Sequence, residues 1–119
     1  MVKPFYIRSK IWIEDDKGEV IFGPGRMKIF EAIRRHGTIQ AAAKELGMSY
    51  RAVWGRIKAT EERLGIPLLV RNVGGTSGGG SQLTATAEHL MAEFRRINSL
   101  VESESDKLFE KNIESQLVE

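Results

Sequence analysis

TIQAAAKELGMSYRAVWGRIKATEERL, residues 38–64, reads as two short helices joined by a tight turn. Thr38 is placed to cap the first helix, Gly47 to end it in a left-handed conformation and Ser49 to cap the second. Each boundary therefore has a physical cause, and the turn left between them is about three residues, the length a helix-turn-helix requires. Ala42 and Ala43 let the two helices approach closely, while Leu46, Val53, Ile57 and Leu64 supply the apolar face beneath them. On a helical wheel Val53, Ile57, Thr60 and Leu64 point one way, which sends Arg51, Gly55, Lys58 and Glu62 the other way.

The exposed face is suited to DNA. Ser49, Tyr50, Arg51 and Trp54 stand near the helix start, where side chains enter a major groove, and the fork of Arg51 matches guanine O6 and N7. Lys58, farther along, suits a phosphate, which gives affinity and orientation without sequence information. Two readings of Trp54 stand side by side: contact with a thymine methyl or sugar, and packing against the preceding helix or the wing. Gly55 inside this helix costs on the order of 1 kcal/mol relative to Ala; a close backbone approach there would give the loss a reason, and a neutral historical substitution is the alternative.

The flanking residues complete a domain. Residues 5–13, FYIRSKIWI, alternate so that Ile7, Ile11 and Ile13 share one face and Arg8, Lys10 and Trp12 the other, the pattern of a half-buried strand. A turn over Glu14 to Gly18 and a short apolar run over Glu19 to Phe22 predict an N-terminal β-hairpin. Trp12 is read as a packing residue. Arg26 to His36 carries Met27, Phe30 and Ile33 at helical spacing and closes at Gly37, giving a third helix to pack across the other two. Beyond Leu64, Gly65 and Pro67 stop the long helix, and LLVRN at 68–72 predicts a strand. GGTSGGG at 74–80 is then a loop and Gln82-Leu83 a returning strand, which together make a β-hairpin wing. Such a wing tip could lie along the DNA backbone and offer Thr76, Ser77 and Ser81, with Arg71 at its base; the alternative is a loop that contacts nothing. It lacks the Lys-Ser or Lys-Thr pair of a P-loop, so nucleotide binding is rejected.

Thr84 caps a long helix starting near Ala85. Leu90, Phe94, Ile97 and Val101 recur along it at steps of three and four, a seam consistent with coiled-coil-type dimerisation, although a seam this short also fits packing on the helix's own domain. Glu104 interrupts the pattern before Leu108. The expected fold is thus mainly α with small β: a winged helix-turn-helix over residues 1–83, and a dimerisation helix with a C-terminal tail over 84–119.

Charge agrees with this division. Residues 25–82 carry ten Lys or Arg against four Glu, whereas residues 83–119 carry four against eight acidic residues, although the net charge is only +2. A basic module that meets a polyanion, joined to a segment that stays off it, would look like this; so would ordinary solvated faces. The absence of cysteine removes disulfides and thiolate metal sites and suits the cytoplasm. The alternating first twenty residues are neither a signal peptide nor a membrane span. His36 and His89 stand apart with no clustered carboxylates, and no nucleophile elbow or triad is present, so neither an enzyme nor a metal or cofactor site is expected.

The run GTIQAAAKELGMSYRAVW, followed by LGIPLLVR, GGTSGGG and LTATA, resembles the N-terminal DNA-binding domain of ModE-type molybdate-responsive regulators, a LysR-like winged helix. Ser49-Tyr50 with Trp54 and the glycine-rich wing separate the pattern from ordinary LysR domains. The resemblance covers roughly residues 5–109 and implies a homodimer with paired C-terminal helices on a palindromic double-stranded DNA operator near molybdate-transport or molybdenum-cofactor genes. It puts the recognition positions at Ser49, Tyr50, Arg51 and Trp54. The LysR-like pattern has Gly where this chain has Ala87, which continues the helix. The resemblance also implies C-terminal oligonucleotide-binding-type domains that sense molybdate. The 119 residues leave no room for them, so the expectation is a stand-alone reader, with a separate molybdate-sensing protein as a further partner. The rival is a winged helix serving protein–protein interaction, since this fold hosts many functions.

Overall fold

The computed structural model of the chain describes residues 5–72 and 80–117. In chain order the elements are β1 (Ile13–Glu14), β2 (Val20–Phe22), α1 (Pro24–His36), α2 (Ile39–Leu46), α3 (Tyr50–Leu64), β3 (Leu69–Asn72), β4 (Gly80–Leu83) and α4 (Ala85–Phe109). A π-helical turn over Glu110–Glu114 and a short α5 (Ser115–Leu117) prolong α4. This is the expected winged helix-turn-helix with an N-terminal hairpin and a long C-terminal helix.

The helix boundaries are the capped ones. Thr38 Oγ1 accepts from Ala41 N–H at 3.0 Å, Ser49 Oγ from Ala52 N–H at 3.1 Å and Thr84 Oγ1 from Ala87 N–H at 3.1 Å. Gly47 and Gly65 close α2 and α3 with φ of 66° and 70°, the left-handed region where a side chain would be strained. Only Gly47, Met48 and Ser49 separate α2 from α3.

Three helices and the hairpin enclose one core. Val53 and Ile57 of α3, Ala42 and Ala43 of α2, and Ile29, Phe30 and Ile33 of α1 are buried together with Leu68 and Met91. Phe22 sits at the centre, its ring 5.9 Å from Phe30 and 5.2 Å from Phe94, the second contact edge-on at 78°. Buried Thr60 is satisfied twice: it donates to Ile21 O at 2.8 Å and accepts from Arg26 Nε at 3.2 Å.

Two expectations need correction. The N-terminal strand is not paired over residues 5–13: only Ile13–Glu14 pair with β2, with an irregular register between them. β2 is three residues long because Pro24 starts α1, so residues 5–12 have no strand beside them. The register shift also leaves Ile13 exposed instead of sharing the half-buried face of Ile7 and Ile11. Ile7, Arg8 and Ser9 instead line a cleft of about 260 Å³ with Glu102, Ser105 and Asp106 of α4. Trp12 packs with its Cβ over Gly23, where an added Cβ would come within 2.9 Å, while its Nε1 donates to Glu14 at 2.7 Å.

The second correction concerns the seam on α4. Phe94 and Leu90 are turned into the domain's own core, Phe94 being 6% exposed. Phe94 is taken by Phe22, so the outward stripe begins at Ile97 and includes Leu100, which the three-and-four spacing passed over. Helix continues past Glu104 to Leu117, and with it the molecule reaches 66 Å in its longest dimension.

Candidate nucleic-acid interface

α3 presents a face free of core duty. Arg51, Gly55 and Lys58 are exposed on the side opposite Val53 and Ile57, as the helical wheel requires, and exposed Trp54 lies on the flank of that face. Arg51 has no carboxylate partner among the described residues. Its fork is therefore available to an external acceptor. An added Cβ at Gly55 meets nothing within 4 Å among the described residues, so no packing among them requires glycine there. Ser49 uses an oxygen lone pair as the cap of α3, which leaves its hydroxyl proton to donate outward.

The other aromatic and basic residues are linked in pairs. Trp54 is 41% exposed and carries Lys58 Nζ 5.8 Å from its ring centre, a cation–π geometry. Trp54 thus neither folds down fully nor stands alone. Lys58 also lies 3.4 Å from Glu61, so its charge is partly engaged inside the protein. Arg71, on the wing strand β3, donates to the Tyr50 hydroxyl and stands 6.0 Å from the Tyr50 ring centre. This contact fastens the wing to the first turn of α3, a link that 21 residues of separation hid from any local pattern. Thr76 and Ser77 lie outside the described residues. Ser81, in β4, is half-buried, and its N–H donates to Gly37 O at 2.7 Å.

Two residues absent from the sequence reading flank the same surface. Gln40 and Lys44 of α2 border a depression of about 440 Å³ that Tyr50 closes on the α3 side. Their i, i+4 spacing, on the side of α2 away from buried Ile39, Ala42 and Ala43, was the signal that could have found them.

On the far side, His36 and Arg35 both meet Glu45, the histidine Nε2 at 2.7 Å, which joins the end of α1 to the end of α2. The hydrogen bonds from Arg35 and then His36 hold the Glu45 carboxyl below the usual glutamate range. No group of three or more His, Cys, Asp or Glu among the described residues could hold a metal ion. No helix among them is long and apolar enough to cross a membrane.

A helix-turn-helix with a hairpin wing and an open basic face defines the class as a winged-helix domain. The bacterial regulatory helix-turn-helix proteins of the lysR family match residues 24–88, from the start of α1 into α4, and the chain belongs to that family. It is 38% identical over 103 residues to the molybdenum transport protein ModE of Azotobacter vinelandii, covering 87% of this chain and 38% of that protein. It is 40% identical over 68 residues to the transcriptional regulator ModE of Haemophilus influenzae, covering 57% of this chain and 27% of the other. The molybdenum-pterin-binding protein MopB of Rhodobacter capsulatus is 39% identical over 77 residues, which is 65% of this chain and 28% of MopB. The chain thus spans well under half the length of these relatives. Among solved structures, the CbnR DBD–DNA complex matches with a TM-score of 0.54 at 31% identity, over 70% of this chain and 90% of that one.

Proposed function

We propose that this chain is the DNA-reading part of a transcriptional regulator of the ModE type, tied to molybdate transport or molybdenum-cofactor genes. The observation that carries the reading is the open face of α3, where Arg51 has no carboxylate partner among the described residues and the preceding Tyr50 holds Arg71 of the wing strand. α3 would lie in the major groove with Arg51 on a guanine edge, while Arg71, Lys44 and the wing meet phosphates on either side. Lys58 would exchange Glu61 for a phosphate on binding. The similarity to ModE and MopB proteins supports the link to molybdenum.

On this reading the chain acts as a homodimer. Exposed Ile97, Leu100 and Leu108, with half-buried Val101, form a stripe on α4 that a second copy would cover. Two α3 helices would then read half-sites of a palindromic operator about 34 Å apart.

The test is the salt dependence of binding to random-sequence duplex DNA. Affinity is expected to fall steeply with salt, because each neutralised phosphate releases counterions. A flat response would favour the protein-interaction reading. Genomic fragments captured with and without molybdate would then identify the operator.

A further inference from the structure

One carboxylate holds the wing to the recognition helix. Glu61, in the last turns of α3, accepts through Oε2 from the backbone N–H of Leu68 at 2.8 Å and of Leu69 at 3.1 Å. Its Oε1 lies 3.4 Å from Lys58 Nζ, and the side chain is 12% exposed. Charge-assisted bonds of this kind are roughly twice as strong as neutral ones, and little water reaches these to compete.

The two amides are the start of the wing. Pro67 has no N–H, so Leu68 and Leu69 are the first donors of the strand segment after it. Leu68 is fully buried and its carbonyl accepts from Thr84 N–H at 3.1 Å; Leu69 opens β3, and Arg71 follows two residues on. β3 is therefore attached to α3 at two places: through Glu61 at its base and through the Arg71–Tyr50 contact farther out. Burial of Leu68 and the pairing with β4 hold the strand in the domain, and the carboxylate adds a direct tie from the strand base to α3.

We infer that Glu61 is a positioning residue for DNA recognition: it sets the base of the wing against α3 so that Arg71 meets the backbone of the duplex α3 reads. This rests on the DNA-reading function proposed above. Glu61 acts through the Leu68 and Leu69 amides and is turned into the wing base.

Salt-dependent binding to a short random-sequence DNA duplex tests it, because charge alone predicts the opposite sign. Deleting an anion near a DNA-binding face should tighten binding. Positioning predicts that Glu61→Leu weakens it and lowers the salt slope by about 0.9, the value of one lost phosphate contact. Arg71→Ala is expected to give the same loss, and the double variant little more than either. Glu61→Gln keeps an oxygen for both amides and releases Lys58, so it retains at least the wild-type slope. Glu61→Leu binding as tightly as wild type, or losses that add fully in the double variant, would overturn the inference.

If Glu61→Leu fails to fold, Glu61→Asp, which withdraws the carboxylate by one methylene, is expected to show the same slope loss; an unchanged slope there also overturns it. Amide hydrogen exchange in the free protein separates the two levels of the argument. Faster exchange at Leu68 and Leu69 is expected in Glu61→Asp, and by less in Glu61→Gln, whose neutral oxygen keeps weaker bonds to both amides, whatever the DNA result, and equal exchange in the two overturns the positioning role. A wild-type protein whose binding ignores salt would instead sink the DNA-reading function itself.

Discussion

Arg51 and Gly55 differ in what surrounds them, and this decides how each can be tested. Arg51 is exposed with no carboxylate partner among the described residues, so Arg51→Ala should leave stability within about 0.5 kcal/mol of wild type. On operator DNA it should cost roughly 1–3 kcal/mol and relax preference at one base position, as a binding-site selection would reveal. Uniform weakening across all sequences would make it a phosphate contact instead. Gly55→Ala meets no atom within 4 Å among the described residues, so it should stabilise the free domain. The gain in urea unfolding should be about 1 kcal/mol, with DNA affinity falling if the backbone approaches the duplex there. Unchanged affinity would leave Gly55 without a functional reason.

At the scale of elements, α1 and α2 are clamped at their C-terminal ends by Glu45 between Arg35 and His36. Because these hydrogen bonds lower the Glu45 pKa in the folded state, the unfolded chain takes up the proton first as pH falls. The clamp's contribution is therefore present above the usual glutamate pKa and lost as pH drops through the lowered folded value. Melting temperatures of wild type and Glu45→Gln should converge on acidification, and a constant gap between them would remove the clamp from the account. The N-terminal hairpin shows how neighbouring elements override a local pattern. Alternation made residues 5–13 look like a strand, yet Pro24 cuts the partner short, and α4 becomes the neighbour of residues 7–9.

For the whole molecule, the question is which residues of α4 belong to the domain and which face outward. Phe94 is 6% exposed and lies edge-on to Phe22, so Phe94→Ala should cost about 3–5 kcal/mol in unfolding free energy. A charge at that position would test folding more than dimerisation. Ile97 and Leu100 are 46% and 57% exposed, so charging both with glutamate should leave the fold intact. Ultracentrifugation should then find monomers with much weaker operator affinity, and a dimer that survives would place the interface elsewhere. The division of charge fits this geometry, with the basic excess over residues 25–82 and the acidic excess over 83–119. In the dimer proposed, the acidic helix would stand away from the DNA and the basic faces would meet it.

The sequence by itself determined the helix boundaries, the length of the turn and the exposed face of α3. These depend on capping side chains, on glycines with positive φ and on the 3.6-residue period, all of which act within a few residues of chain. Thr38, Gly47, Ser49, Gly65 and Thr84 each ended or began an element where the local chemistry required it. Only the tertiary structure decided which apolar residues of α4 are taken by the domain, since Phe94 finds Phe22 across 72 residues of chain. It alone joined Arg71 to Tyr50 and the Leu68 and Leu69 amides to Glu61. Such contacts depend on where separate elements come to rest against a shared core, and no periodicity within one element records that.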